Sequence, residues 1–155
     1  MGRYTPEQAH RIMSAVKSKN TKPELILRRA LWKRNYRYRI HVKELVGKPD
    51  IVFSRAKLAI FCDGDFWHGH NWAIRGIASF EEELAGYSPF WREKILRNVQ
   101  RDIEVNKALQ EEGWFVLRIW ESDILSYPEK CVEMIESAYN NALNDQKPCS
   151  ITSLS

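Results

Sequence analysis

Cysteine is scarce in this chain, and what there is stands far apart. Cys62, Cys131 and Cys149 are the only three. They form no CxxC pair, so neither a disulfide framework nor a cysteine-rich zinc module is expected, and a reducing, cytoplasmic setting fits. No apolar run approaches the ~20 residues that span a bilayer. The opening MGRYTPEQAHRIMSAV has no continuous apolar core of the secretory kind. Pro6 stands where an N-myristoylation signal would place Ser or Thr. No internal repeat is present. The expectation is therefore a cytoplasmic protein without a membrane-spanning helix or a disulfide framework.

What remains is 155 residues, enough for one domain with a real core. The net charge of +4 hides an asymmetry. Residues 1–48 carry 13 Lys/Arg against 3 Asp/Glu, and residues 49–155 carry 11 against 17. A basic segment joined to an acidic body suits a polyanion gripped by one part and processed by the other. A solvated basic helix surface is the plainer alternative.

Thr5-Pro6-Glu7-Gln8 has the form of a helix start, with Ile12, Met13 and Val16 as its apolar stripe. Thr21-Lys22-Pro23-Glu24 is a second capping box. It opens a helix to about residue 33, with Leu25, Leu27, Leu31 and Trp32 as apolar positions. Tyr36, Tyr38, Ile40 and Val42 alternate as in a half-exposed strand. Residues 50–54 and 58–62 are short apolar strands after the Gly47-Lys48-Pro49 turn. Residues 64–89 read as irregular. A helix is predicted from Trp91 to about Glu112, with Ile95, Val99, Ile103 and Leu109 inward and Gly113 ending it. Residues 114–120 form the best strand, and residues 128–144 the last helix. The polar tail, 146–155, is expected to be disordered. This order predicts an α/β sandwich with a central mixed sheet flanked by helices. Core packing is expected of Trp32, Trp114 and Trp120.

The chemistry concentrates where strands 50–54 and 58–62 end. Asp50 follows Pro49 at the mouth of one apolar run, and Cys62-Asp63-Gly64-Asp65-Phe66-Trp67-His68-Gly69-His70 closes the next. If the runs pair, Asp50, residues 62–63 and His68 converge on one sheet edge. A carboxylate there can bind a hard cation, and an Asp capping a turn is the plainer reading. Asp63 is an additional ligand candidate, as is the backbone carbonyl of Cys62, although Asp63-Gly64 is also a common turn pair. His68 is the natural base for activating water, its unperturbed pKa lying near neutrality. His70 makes a His-x-His pair that lacks further zinc ligands in sequence. Glu24 and Asp102 can orient His68 or a metal-bound water. Glu24 is equally a capping acid, and Asp102 is placed to pair with Arg97 or Arg101. Phe66, Trp67, Trp72 and Trp91 lie in or beside the irregular segment, where stacking on bases competes with core packing.

Four segments, MSAVKSKNTKPELILRRAL, GKPDIVF, IFCDGDFWHGH and FWREKILRNVQRD with the following GWFVLRIWE, together resemble the very-short-patch-repair (Vsr) mismatch endonucleases. More distantly they resemble homing-endonuclease catalytic domains with the same site. The resemblance implies a restriction-endonuclease-like three-layer fold over residues 1–145. It implies Mg²⁺-dependent nicking of one strand of double-stranded DNA beside a T:G mismatch, by a monomer linked in function to a DNA cytosine methyltransferase. A bacterial, cytoplasmic protein acting on the nucleoid follows. Carried over by position, Asp50 and the Cys62 carbonyl match the metal ligands, His68 the catalytic histidine, and Glu24 and Asp102 the supporting acids. Phe66, Trp67 and Trp91 match the aromatics that wedge into DNA. The basic segment 1–20, with Lys17, Lys19, Asn20 and then Lys22, matches the duplex clamp. Typical members also hold a structural zinc with one His and three Cys. Here His70 matches the His, but the Cys positions hold Asp65, Trp72 and Ser122, so no zinc is expected and Trp72 is expected to fill the space. Phe61-Cys62-Asp63 also lacks the acid-x-Lys pattern of the wider superfamily, consistent with a His-based branch. Cutting of intact duplex, as in restriction or homing enzymes, is the alternative activity, and a non-catalytic DNA-binding module a third reading.

Overall fold

The computed structural model describes residues 20–146. The helix expected from Thr5, the cations Lys17 and Lys19, and the tail from residue 147 lie outside them. Among the described residues, six helices and one four-stranded sheet form a mixed α/β fold.

Helix α1 (Lys22–Lys33) starts as its sequence requires. Thr21 is extended and its Oγ1 accepts the Glu24 N–H at 3.4 Å. Leu27 and Leu31, four residues apart, are fully buried. Trp32 is 53% exposed, against the expectation of core packing. It falls on the outer face, where the Arg37 guanidinium stacks on its ring at 3.5 Å.

The strands are β1 (Arg39–Ile40), β2 (Ile51–Phe53), β3 (Leu58–Asp63) and β4 (Phe115–Trp120), in spatial order β1-β2-β3-β4. The first two pairings are antiparallel and the third parallel. Strand β1 is shorter than the alternation over 36–42 predicts, because His41 takes a left-handed φ of +47° and bends the chain.

Alternation along β3 creates the layers. Leu58 and Ile60 face a core built with Leu27, Leu31, Ile124, Val132 and Ile135. That core joins the sheet to α1 and to the helices after β4, α5 (Glu121–Ser126) and α6 (Pro128–Gln146). Ala59 and Phe61 face Val105 and Leu109 on the opposite side. Those two belong to the helix before β4, which runs Pro89–Glu111. Helices on both faces of the sheet make the three layers. Residue 146 still belongs to α6, so the last helix runs two residues past its predicted end.

The segment expected to be irregular holds two short helices, α2 (Asn71–Ile74) and α3 (Phe80–Ala85). Ser79 caps α3 by accepting the Glu82 N–H at 3.2 Å, and the acids Glu81, Glu82 and Glu83 sit in its first turn, where the helix dipole favours them. These helices are too short to show an apolar period, which is why they were illegible. The helix Pro89–Glu111 is α4. Its buried residues are Trp91, Ile95, Asn98, Val105 and Leu109, while Ile103 is 56% exposed. Polar Asn98 and half-buried Asp102 occupy inward turns, so counting apolar residues alone places the stripe on a shifted face.

Candidate active site

Register brings the site together. Arg39 opposes Val52 and Ile40 opposes Ile51, so His41 falls opposite Asp50 and its N–H donates to the Asp50 carbonyl at 3.2 Å. On the other side, the Asp50 N–H donates to the Ile60 carbonyl at 2.9 Å. The Asp50 Oδ2 accepts the Cys62 N–H at 2.8 Å. Asp50 is thus fixed at the entrance of β2, beside the end of β3.

Glu24 reaches the same place from the first turn of α1. It is 3% exposed, and its Oε2 accepts the Asn20 N–H at 3.0 Å and lies 3.0 Å from His41 Nε2. Glu24, His41 and Asp50 each present a ligand atom within 4.8 Å of the others. Burial pushes the Asp50 carboxyl up from 3.8 to about 7; the Cys62 N–H opposes this and the neighbouring Glu24 adds to it. Burial, then the charge of Asp50, raises the Cys62 thiol well above its ordinary value. That thiol is no nucleophile at neutral pH.

A second group faces the first. His68 Nδ1 lies 2.5 Å from Asp102 Oδ2, so the imidazole donates its Nδ1–H to that carboxylate. His68 Nε2 is 3.9 Å from Asp63 Oδ1. Burial pulls the His68 pKa down, but the Asp102 hydrogen bond and the Asp63 and Asp102 charges outweigh it, so the net shift is upward. Of the roles open to Asp102, the structure thus pairs it with His68, and its cation is Arg118, with Nη1 at 3.2 Å, rather than Arg97 or Arg101. Arg118 opposes Phe61 in the sheet and lies over its ring at 4.1 Å. The same Nη1 lies 3.0 and 3.1 Å from the two Asp63 oxygens. Burial raises the Asp63 pKa, with His68 and Arg118 opposing.

His41, Asp50, Cys62, Asp63, His68 and Asp102 all line one cleft of about 910 Å³. Lys43, Lys48 and Arg101 add positive charge to the same cleft, as a phosphate-bearing ligand requires. His41, Arg118 and half-buried Glu121 escaped the sequence reading. Glu121 follows β4 directly, and its pKa is raised by burial and then by the nearby Asp65 and Glu24. The signal for His41 was present: one step beyond Ile40, it is the residue that an antiparallel partner of Asp50 must supply.

The loop after β3 is held by its own bonds. Asp65 Oδ1 lies 2.8 Å from His70 Nδ1 and accepts the Ser122 hydroxyl at 2.8 Å, while Oδ2 accepts the Ser122 N–H at 3.0 Å. His70 stacks flat on Trp120, with centroids 4.0 Å apart and planes at 2°. The ring against His70 is therefore Trp120 rather than Trp72, whose N–H donates to Glu83 at 2.6 Å. The buried Asn98 donates from Nδ2 to the Trp67 carbonyl at 2.9 Å, just before His68. Phe66, Trp67 and Trp91 form one aromatic cluster. The Phe66 ring is 5.0 Å from Trp67 and 5.5 Å from Trp91. Trp91 is 5% exposed, whereas Phe66 and Trp67 are half-buried. Of the basic residues expected to hold a duplex, Lys22 is exposed. Asn20 is exposed too and accepts a hydrogen bond from Arg28 Nη2 at 2.8 Å.

Carboxylates, an oriented histidine and a cationic rim around one cleft in an α/β fold are the groups that a hydrolase of phosphodiesters uses when it combines a divalent cation with a positioned base. Sequence comparison narrows the class. A family model described as DNA mismatch endonuclease Vsr matches residues 1–74. The type II nicking enzyme V.NmeDIP of Neisseria meningitidis serogroup C is 44% identical over 138 residues, covering 89% of this chain and 90% of that protein. The type II nicking enzyme V.HpaIIP of Haemophilus parainfluenzae is 42% identical, covering 89% and 95%. The DNA mismatch endonuclease Vsr of Escherichia coli is 35% identical, covering 70% and 66%. This chain belongs to the Vsr endonuclease family and is a DNA endonuclease with a restriction-endonuclease-like fold. Among the described residues, no helix is long and apolar enough to cross a membrane.

Proposed function

We propose that this enzyme nicks one strand of duplex DNA beside a T:G mismatch, acting as a monomer with Mg²⁺ at Asp50. A single nuclease domain over residues 1–145 carries the reaction. One observation supports this most: Asp50, with a ligand atom of Glu24 within 4.8 Å, lines the same cleft as the His68–Asp102 pair. The donor set fits a hard divalent cation, because the buried Asp50 carboxyl loses its proton at a cost that a cation would offset. Asp50, Glu24 and the Cys62 carbonyl would hold it, with Asp63 beside them. A divalent cation held there would supply stabilisation of the charge that develops on the scissile phosphate and the leaving oxygen.

The protein's own groups do the rest. Asp102 accepts the Nδ1–H of His68 and so fixes the tautomer whose bare Nε2 faces the cleft. The neutral imidazole takes a proton from the attacking water and stores it as the imidazolium, which Asp102 and Asp63 stabilise. Arg118 spans those two carboxylates and limits their mutual repulsion. Phe66 and Trp67 part the base stack, with Trp91 behind them as a rigid support. A mismatched step unstacks more cheaply, which contributes selectivity. Lys17, Lys19, Asn20 and Lys22 bind backbone phosphates, and their hold weakens with salt. The His70–Asp65–Ser122 bonds brace the catalytic loop without zinc. A linked cytosine methyltransferase would create the methylated sites whose deamination produces T:G pairs.

A second reading is restriction- or homing-type cutting of intact duplex DNA with the same active site; the Neisseria and Haemophilus relatives are named type II nicking enzymes, with no mismatch in the name. End-labelled duplexes that differ only at one T:G or C:G pair, in a library of flanking sequences, separate the two. Nicking confined to the T strand of the mismatch supports repair. Equal nicking of matched duplex moves the enzyme to the second reading.

A further inference from the structure

Resting on the reading of Asp50 as the cation site, we propose that His41 is a direct ligand of that cation, making a mixed oxygen–nitrogen centre that binds Mn²⁺ far more tightly than Mg²⁺. Three independent features of the backbone and side chains point there. First, the antiparallel register sets His41 directly opposite Asp50, with a backbone hydrogen bond of 3.2 Å between them. That bond holds the two residues side by side just beyond the ends of β1 and β2. Second, His41 Nε2 and Glu24 Oε2 are 3.0 Å apart. Two adjacent ligands of an octahedral cation with bonds of about 2.1 Å stand about 3 Å apart. The pair thus already has the spacing that a shared cation requires, and Asp50 supplies the third atom within 4.8 Å. Third, His41 adopts a left-handed φ of +47°, a conformation that costs a non-glycine residue energy and persists where the surroundings hold it. Its side chain is only 17% exposed and turned toward Glu24, itself 4% exposed.

Ligand chemistry gives the consequence. Mg²⁺ takes oxygen and keeps its waters, whereas Mn²⁺, which also favours carboxylates, is a first-row transition ion that accepts a nitrogen ligand more readily than Mg²⁺ does. A histidine added to two carboxylates therefore raises Mn²⁺ affinity and leaves Mg²⁺ affinity nearly unchanged. The other mixed group, Asp63 with His68 and Asp102, is already neutralised from within, because Arg118 Nη1 lies 3.0 Å from Asp63 and 3.2 Å from Asp102. Cation binding thus concentrates on the His41 side of the cleft.

The test uses the DNA-free full chain with Mn²⁺, read by electron paramagnetic resonance, and with Mg²⁺ added as a competitor to obtain its affinity. Pulsed spectra report whether a nitrogen is bonded to the ion, and loss of the free-ion signal gives affinity. His41→Asn is the variant of choice, since asparagine tolerates the left-handed backbone. The wild type is expected to show imidazole nitrogen coupling. His68→Asn should keep it, and His41→Asn should lose it together with roughly 10-fold or more of Mn²⁺ affinity and less than about 3-fold of Mg²⁺ affinity. Coupling that is absent from the wild type, or that survives in His41→Asn, overturns the assignment of His41 while leaving Asp50 in place. Mn²⁺ binding that is unchanged in Asp50→Asn overturns the cation site itself.

Discussion

Replacing Asp50 with asparagine should make the cation-free enzyme more stable above neutral pH, even as it removes activity. The Asp50 carboxyl titrates at about 7 in the fold against 3.8 ordinarily, with burial as the largest cause. Between those values the folded chain holds a proton that the unfolded chain has lost. Stability contributed by the protonated acid is complete below about 3.8 and lost as pH rises through about 7. At pH 8 the full linkage amounts to roughly 4 kcal/mol, and relaxation with water entry leaves about 2 kcal/mol as the expected gain on substitution. Asparagine keeps an oxygen to accept the Cys62 N–H, so the local geometry survives. Urea denaturation in chelator should show Asp50→Asn more stable by about 2 kcal/mol at pH 8 and by about half as much at pH 5. The corresponding rise in Tm is about 5 °C. Adding millimolar divalent cation should stabilise the wild type and leave the variant unchanged. A variant less stable than wild type at pH 8, or a gain equal at both pH values, would refute a buried, charge-starved Asp50.

Other substitutions probe other parts of the site. Asp102→Asn removes the acceptor that fixes the His68 tautomer and should slow single-turnover nicking by about 10²–10⁴-fold with DNA binding retained in gel-shift titrations. Arg118→Met strands the 7%-exposed Asp63 carboxylate and should cost about 3 kcal/mol in denaturant unfolding at pH 8. Gly69→Ala forces a Cβ into a φ of +77° and to 2.6 Å from the Phe80 ring, so it should cost about 2 kcal/mol and impair nicking, read by calorimetry and rate. Ser122→Ala removes one hydrogen bond to Asp65 and should cost about 1 kcal/mol, with faster proteolysis between residues 64 and 88 as its local readout.

Much of this architecture could be read from residues, for stated reasons. Thr21, Pro23 and Glu24 announce α1 because capping is local chemistry. Residues 58–62 announce β3 because a strand covered on both faces is continuously apolar. The region after Gly64 could not be read, since its two helices are held by single bonds such as Trp72 N–H to Glu83 rather than by periodicity. Trp32 misled because an aromatic on a helix can be covered by a cation, here Arg37, as well as by a core. In the site, Asp50 and His68 stood out by their position at strand ends, and the structure brings each into a cluster of ligand atoms. His41 and Arg118 did not stand out, because their meaning depends on register: one lies across from Asp50, the other across from Phe61. Asp102 lies inward on α4 among Asn98 and Val105, and only the fold reveals that an acid on the inner face has a histidine to meet.

The most direct test of the account is single-turnover nicking of a labelled T:G duplex with divalent cation by wild type, Asp50→Asn and His68→Ala, each first shown to bind that duplex. The account predicts a cation-dependent nick by the wild type and a loss of at least about 10³-fold in both variants with binding retained. Nicking at the wild-type rate by either variant would contradict it and place the chemistry outside this cleft.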